Sequence, residues 1–136
     1  MIRDVDRETT IEALRARLRD EPDVVAAWLF GSVARGSDTR DSDLDVAILT
    51  RRVSTGTLDD LWLDLRAALT DVVGRELDLV VMDHAHGDLV HRVLRDGILL
   101  IDADRSARIR FEVDARNRWF DMQPIWREYR RGRSAA

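Results

Sequence analysis

Two short apolar runs, separated by a small polar stretch, constrain the fold of this chain more than any other feature. The first run, Val24–Phe30, ends at Gly31, and the second, Leu44–Thr50, begins between Asp43 and Asp45. Short continuous apolar runs of this length predict buried strands. The sequence therefore predicts a strand, a turn that opens a short helix, a polar loop and a second strand that carries carboxylates at its start.

The two carboxylates at this strand start predict a metal site. Because side chains alternate along a strand, Asp43 and Asp45 point one way while Leu44 and Val46 point into the core. Two carboxylates about 4 Å apart repel each other by roughly 4 kcal/mol at an effective dielectric of about 20. A divalent cation removes that cost, and ligation by oxygen alone suits Mg²⁺.

The Gly-Ser corner before the polar loop has the residues of a phosphate site. Gly31 allows close backbone approach, and Ser32 offers a hydroxyl beside the N–H groups of a helix start. Arg35 adds a guanidinium whose geometry matches phosphate oxygens. A phosphate site next to a metal pair predicts nucleotidyl transfer.

The motif Gly31-Ser32, ten residues and then Asp43-x-Asp45 resembles the signature of the DNA-polymerase-beta-like nucleotidyltransferase superfamily. The short chain is similar to its minimal nucleotidyltransferase (MNT) branch. The resemblance covers residues 28–82 and implies a third acid on a later strand, for which Asp78 fits. It implies that Asp43, Asp45 and Asp78 are catalytic and bind two Mg²⁺ ions, with ATP as the substrate.

The resemblance also implies a partner. MNT proteins are often antitoxins of HEPN ribonuclease toxins, which implies transfer of AMP from ATP to a tyrosine of the cognate toxin and a hetero-oligomer with it. Two alternatives remain open. One is an antitoxin that inhibits by binding alone, and the other is a nucleotidyltransferase that acts on a small molecule or an RNA end.

The remaining periodicity predicts the architecture. Apolar spacing predicts helices over 6–20, 58–73, 88–95 and 103–131, and strands over 77–82 and 98–101, the last at a sheet edge. We therefore expect an α/β (α+β) fold in one domain, 1–136: a small mixed sheet with helices packed on one face and a long C-terminal helix. This agrees with the palm that the resemblance implies.

The last predicted helix carries an aromatic stripe and many arginines. From residue 105 onward the chain has nine Arg against four acids. The stripe favours core packing, but its Trp, Tyr and Arg content also suits a protein contact. Pro124 predicts a kink or break, and 132–136 a frayed end. The stripe consists of Phe111, Ala115, Trp119, Met122, Trp126 and Tyr129.

Composition excludes several kinds of site. All 22 basic residues are Arg and there is no Cys, which excludes lysine-based and thiol chemistry. The net charge of −4 argues against direct nucleic-acid binding. His84 and His86 have no third ligand nearby in the sequence and fit a loop better than a metal site. The charged N-terminus and the absence of a membrane-spanning run predict a cytoplasmic protein.

The acidic residues before and at the start of the second strand could also be interpreted as a calcium-binding loop. The spacing of Asp41, Asp43 and Asp45 matches the start of an EF-hand loop. However, Val46 and Arg52 stand where that loop needs Gly and Glu, so we reject this interpretation.

Overall fold

A mixed four-stranded sheet carries the fold. The computed structural model describes residues 4–36, 43–51 and 57–135, with side chains in 6–36, 43–51 and 57–121. Most of the polar loop and of the turn after the second strand, including Asp38, Asp41 and Arg52, lies outside the described residues. The elements are α1 (Asp4–Arg19), β1 (Val24–Phe30), α2 (Gly31–Arg35), β2 (Leu44–Thr50), α3 (Leu58–Val73), β3 (Leu77–Val81), a 3₁₀ turn (Met82–His84), α4 (Gly87–Asp96), β4 (Ile98–Asp102) and α5 (Arg105–Ala135).

The strand order is β3-β2-β1-β4, which makes β4 an edge strand as predicted. Strand β1 pairs antiparallel with β2 and β4, whereas β2 and β3 are parallel. In this register Asp45 lies beside Phe30 on one side and Asp78 on the other. Because paired residues project from the same face, the carboxylates of β2 and β3 share one side of the sheet.

Apolar residues cover both faces of the sheet. Helices α1 and α3 cover one face, where Leu14 and Leu69 are fully buried against the strands. On the other face, α4 and α5 cover a second cluster that includes Trp28 and Leu49. The mixed sheet is as predicted, but helices pack on both of its faces and not on one as expected, which explains why β1 and β2 are buried almost continuously.

Helix α3 begins and ends where the sequence predicts. The Thr57 hydroxyl accepts a hydrogen bond from the Asp60 N–H at 3.1 Å, and the Asp60 carboxylate accepts one from the Thr57 N–H at 3.4 Å. This reciprocal pair satisfies two N–H groups that the helix itself leaves unbonded. At the other end Gly74 has a φ of 68°, the left-handed conformation that ends many helices.

Helix α5 is longer than predicted. It runs without a break from Arg105 to Ala135, so the prediction of a break at Pro124 is wrong, whereas a kink there stays a prediction. Of the predicted frayed end over 132–136, residues 132–135 are helical, and residue 136 lies outside the described residues. A proline removes one backbone hydrogen bond, and a helix of 31 residues continues without it. In the described part of the chain, no helix has both the length and the hydrophobicity needed to cross a bilayer.

The first half of the aromatic stripe belongs to the core. Phe111, Ala115 and Trp119 are half-buried, and the first two pack on the cluster of the second face. The Trp119 ring stacks on His91 of α4, with 3.9 Å between ring centroids and an angle of 6° between the planes. These contacts confirm core packing for this half of the stripe. The side chains of Met122, Trp126 and Tyr129 lie outside the described set.

One side-chain hydrogen bond holds α3 against the edge strand that carries Asp78. The indole N–H of Trp62 donates to the Leu79 carbonyl at 2.7 Å. Because β3 is an edge strand, its outer carbonyls need partners from outside the sheet. Trp62 provides the partner for the carbonyl of Leu79, the residue that follows Asp78 in the sequence.

We expect Trp62→Phe to lower the free energy of unfolding by about 1–2 kcal/mol, because the Leu79 carbonyl loses its donor while most of the ring packing remains. Urea denaturation measures the change. Leu63→Ala is the matched control on the same helix: its side chain is 58% exposed, and its effect should stay within about 0.5 kcal/mol. Equal effects of the two substitutions would mean that the hydrogen bond does not anchor the edge strand.

Candidate active site

The backbone of Gly31 lies directly against the Asp45 carboxylate. Gly31 joins β1 to α2 with a φ of 77°, and a Cβ placed on it would overlap Oδ2 of Asp45 and lie 3.1 Å from its Cγ. Only glycine tolerates both the left-handed backbone and the lack of space. The sequence predicts a close backbone approach at Gly31, and in the structure the group approached is a carboxylate.

Asp45 has two other aspartates, Asp78 and Asp43, near it. Asp45 is half-buried on β2, Asp78 is exposed at the paired position of β3, and Asp43 is exposed two residues before Asp45. Burial raises the pKa of Asp45, the charges of Asp78 and Asp43 raise it further, and Arg35 opposes them. The Asp45 carboxylate is therefore within electrostatic reach of both other aspartates.

The three aspartates do not form a closed metal cage. Among the described residues, no three side chains of the His, Cys, Asp or Glu type are close enough together to hold a metal ion by themselves. The aspartates offer only oxygen atoms, and two of them are exposed. Such a set fits Mg²⁺, which usually binds one or two carboxylates and completes its shell with water and substrate phosphates.

A cavity of about 350 Å³ opens beside Asp45. Its lining brings together the residues for which the sequence predicts phosphate binding and one of the aspartates. Asp43 and Asp78 do not line it; Asp78 lies on the other side of β2, on the adjacent strand. The cavity is lined by Phe30, Gly31, Ser32, Arg35, Asp45, Arg92 and Asp96.

Arg92 and Asp96, both on α4, are the cavity residues that sequence reasoning missed. Arg92 is exposed. Asp96 accepts two hydrogen bonds from the neighbouring Arg95, at 3.0 and 2.9 Å. These hydrogen bonds are the main reason that the pKa of Asp96 is lowered. The two cavity residues are four positions apart, on a polar face of α4 that adjoins the buried Val93. The spacing of these two residues predicts a polar face of α4, but it does not predict that this face lies near α2, because the two helices are distant in the sequence and come together only in the folded chain.

Helix α2 is held from behind by α1. The Arg7 guanidinium donates from Nη2 to the Ala34 carbonyl at 2.7 Å. This bond satisfies a carbonyl near the end of α2, where Gly36 ends the helix with a φ of 73°. The position of Ser32 and Arg35 therefore depends on α1 as well as on β1.

Comparisons with known families give a match over most of the chain. The family model for polymerase beta nucleotidyltransferases matches residues 12–106. The protein adenylyltransferase MntA of Shewanella oneidensis is 34% identical over 83 residues. That match covers 59% of this chain and 56% of MntA, so the chain spans just over half the length of that relative.

Solved structures share the fold. A chain of a toxin–antitoxin crystal structure with AMP-PNP superposes with a TM-score of 0.74 at 24% identity, covering 93% of this chain and 98% of that one. A chain from a complex of a tri-AMPylated Shewanella oneidensis HEPN toxin with an MNT antitoxin gives a TM-score of 0.66 at 20% identity. That superposition covers 99% of this chain and 100% of the other.

Two glycines allow a matched test of the contact with Asp45. Gly31 and Gly36 both have a left-handed backbone, but a Cβ on Gly36 meets nothing within 4 Å. Both alanine variants carry the backbone strain, about 1–2 kcal/mol, and Gly31→Ala adds overpacking against Asp45, about 1–3 kcal/mol more. Urea denaturation of the two variants measures the difference. Equal losses of stability would contradict a tight contact at Gly31.

Proposed function

The chain belongs to the polymerase beta nucleotidyltransferase family, and from this premise we propose that it is an antitoxin that transfers AMP from ATP to a tyrosine of a HEPN ribonuclease toxin. The observation that carries the proposal is the environment of Asp45. This carboxylate lies against Gly31, beside Asp78, and in one cavity with Ser32 and Arg35. The name of the relative MntA, a protein adenylyltransferase, and the AMPylated HEPN toxin of the structural neighbour support the same reaction.

The cavity is the proposed site of the ATP phosphates. Ser32 offers a hydroxyl there, while Arg35 from α2 and Arg92 from α4 offer guanidinium groups. Two arginines on separate helices can hold phosphate oxygens through charge-assisted hydrogen bonds, which fix orientation as well as charge. Gly31 leaves the space beside Asp45 that a side chain would fill.

Asp43, Asp45 and Asp78 are the proposed ligands of two Mg²⁺ ions. When bound, Mg²⁺ would neutralise charge on the α-phosphate and on the departing pyrophosphate. The three aspartates fit this role because they offer only oxygen donors and because Asp45 and Asp78 project from one face of the sheet. Burial raises the Asp45 pKa most and repulsion by Asp78 and Asp43 raises it further, and bound cations would relieve that repulsion.

The proposed chemical step is an in-line substitution at the α-phosphorus of ATP. The tyrosine oxygen forms a bond to that phosphorus, the bond between the α-phosphorus and the bridging oxygen breaks, and pyrophosphate leaves. The tyrosine proton passes to a carboxylate oxygen of Asp78, which is exposed and lies on the strand next to Asp45. The protein contributes positioning and charge neutralisation, without a covalent intermediate.

The phosphate and acceptor sides are separated by Asp45. Arg35 and Arg92 line the cavity on one side of β2, whereas Asp78 lies on the opposite side, at the exposed edge of the sheet. An acceptor as large as a protein can approach an exposed edge more easily than a cavity. This arrangement supports a protein acceptor over a small molecule that enters with ATP.

We expect Asp43→Asn and Asp45→Asn each to reduce AMP transfer at least about 100-fold and to leave toxin binding intact. The assay uses labelled ATP, Mg²⁺ and the proposed cognate HEPN toxin, and chelation with EDTA should abolish labelling. Asp71→Asn, an exposed position on α3, is the charge-matched control and should keep full activity. Asp45→Asn should also not lower the free energy of unfolding, because it removes a half-buried charge among like charges.

Two results of that assay contradict parts of the proposal. If Asp45→Asn neutralises the toxin as well as the unmodified chain does, inhibition by binding alone is correct. If label appears on RNA but not on the toxin, the acceptor is wrong.

We expect Arg92→Ala to raise the dissociation constant for AMP-PNP with Mg²⁺ about tenfold, which corresponds to the loss of one charge-assisted contact of about 1.4 kcal/mol. Isothermal titration calorimetry measures the constant. Arg19→Ala, at an exposed position of α1 that does not line the cavity, is the control and should bind within about twofold of the unmodified chain. An unchanged constant for Arg92→Ala would remove α4 from the nucleotide site.

A further inference from the structure

Helix α5 has a second apolar face, which no described residue covers. Ile109, Val113 and Phe120 are large apolar side chains that are 40%, 45% and 63% exposed. With about 100° of rotation per residue, their spacing places them within about 40° of one another around the helix. They form one stripe about 16 Å long, here called the outer stripe.

The outer stripe points away from most of the face that α5 packs against the rest of the fold, and only its Phe120 end borders a groove between α5 and α4. That inner face uses Phe111, Ala115 and Trp119, which point to roughly the opposite side of the helix. The predicted aromatic stripe and the outer stripe therefore differ. The inner face takes part in the fold, and the outer stripe is left for another use.

Basic residues accompany the outer stripe. Arg105 lies one turn before Ile109, and Arg116 lies between Val113 and Phe120; both are exposed. In the described part of the chain neither forms an ion pair, whereas Arg108 on the inner side bonds Asp102 at 2.9 Å and Glu112 at 3.0 Å. A chain with a net charge of −4 thus presents a positive and apolar surface along this helix.

From this surface we propose that the outer stripe docks an amphipathic helix of the acceptor toxin, with an apolar ridge flanked by carboxylates. The inference rests on the proposed function for the identity of the partner. An exposed row of aliphatic and aromatic side chains with interspersed Arg has the composition of interface cores. A length of about three helical turns matches a helix lying along a groove or ridge.

Charge complementarity decides between this occupant and two others. A second copy of the chain would add the same positive side chains, Arg105 and Arg116, to the interface, and like charges on both sides oppose association. A nucleic acid would meet three apolar side chains at the centre of the surface, where phosphates need donors. A toxin helix with carboxylates beside an apolar ridge would complement both the apolar side chains of the outer stripe and the arginines next to them.

The test measures binding of variants of the full chain to the purified cognate HEPN toxin of the proposed function. We expect the double variant Ile109→Ser, Phe120→Ser and the single variant Arg116→Glu each to raise the dissociation constant for this toxin at least about tenfold. Leu63→Ser on α3, 58% exposed, is the matched control and should change it less than about twofold. AMP-PNP binding should be unchanged in all of them, since none lines the cavity.

The outcomes separate this inference from the function on which it rests. If the stripe variants bind the toxin as tightly as Leu63→Ser does while AMP transfer proceeds, the docking surface is wrong and the proposed function stands. If the unmodified chain neither binds nor labels the toxin, both are wrong. If analytical ultracentrifugation shows that the stripe variants disrupt a homodimer, the outer stripe is a self-association surface and the inference is overturned.

Discussion

The close approach of the Gly31 backbone to the Asp45 carboxylate is the contact on which the site depends. It joins the end of β1 to the start of β2 and leaves no room for a side chain between them. The carboxylate held there is half-buried and has two other carboxylates in reach, so its charged form is disfavoured, as its raised pKa indicates. A fold that keeps such a group must gain stability from other contacts, because the repulsion between the carboxylates destabilises the native state.

The compensation comes from the position of β2 in the sheet. Strand β2 has a neighbour on each side, and residues 46–49 are buried. Val46 and Ile48 pack under α1 and α3, whereas Ala47 and Leu49 pack towards α4. A strand fixed on both faces cannot slip by one residue without exposing its apolar side chains. Asp45 is therefore held in register by the residues that follow it.

The parts of this structure that sequence reasoning predicted are the local ones. The boundaries of β1 and β2 follow from short, mainly apolar runs, and Asp78 faces away from Leu77 and Leu79 because of strand alternation. Arg92 could not be predicted, because its role depends on α4 lying against α2, a contact between residues about sixty positions apart. Periodicity does not report how elements meet in space.

Helix α5 shows a second limit of sequence reasoning. An apolar position on a helix indicates a contact, but not whether the contact lies within the chain or outside it. The regular spacing of Phe111, Ala115 and Trp119 identified the face that packs inward. Ile109, just before them in the sequence, and Val113, between Phe111 and Ala115, belong to the other face, and only their exposure distinguishes the two faces.

The two faces of α5 have a consequence for how an acceptor could be positioned. Nucleotidyl transfer gains most of its rate from holding the attacking oxygen in line with the α-phosphorus, so a protein acceptor must be held by its surface as well as by its reacting side chain. Helix α4 contacts both the cavity and α5: Arg92 and Asp96 line the cavity, and His91 stacks on Trp119 of α5. A partner bound to the outer stripe would therefore rest on the helix that packs against one wall of the cavity. The packing of α5 on α4 then fixes the partner relative to the phosphates, in the same way that the packing of β2 fixes Asp45.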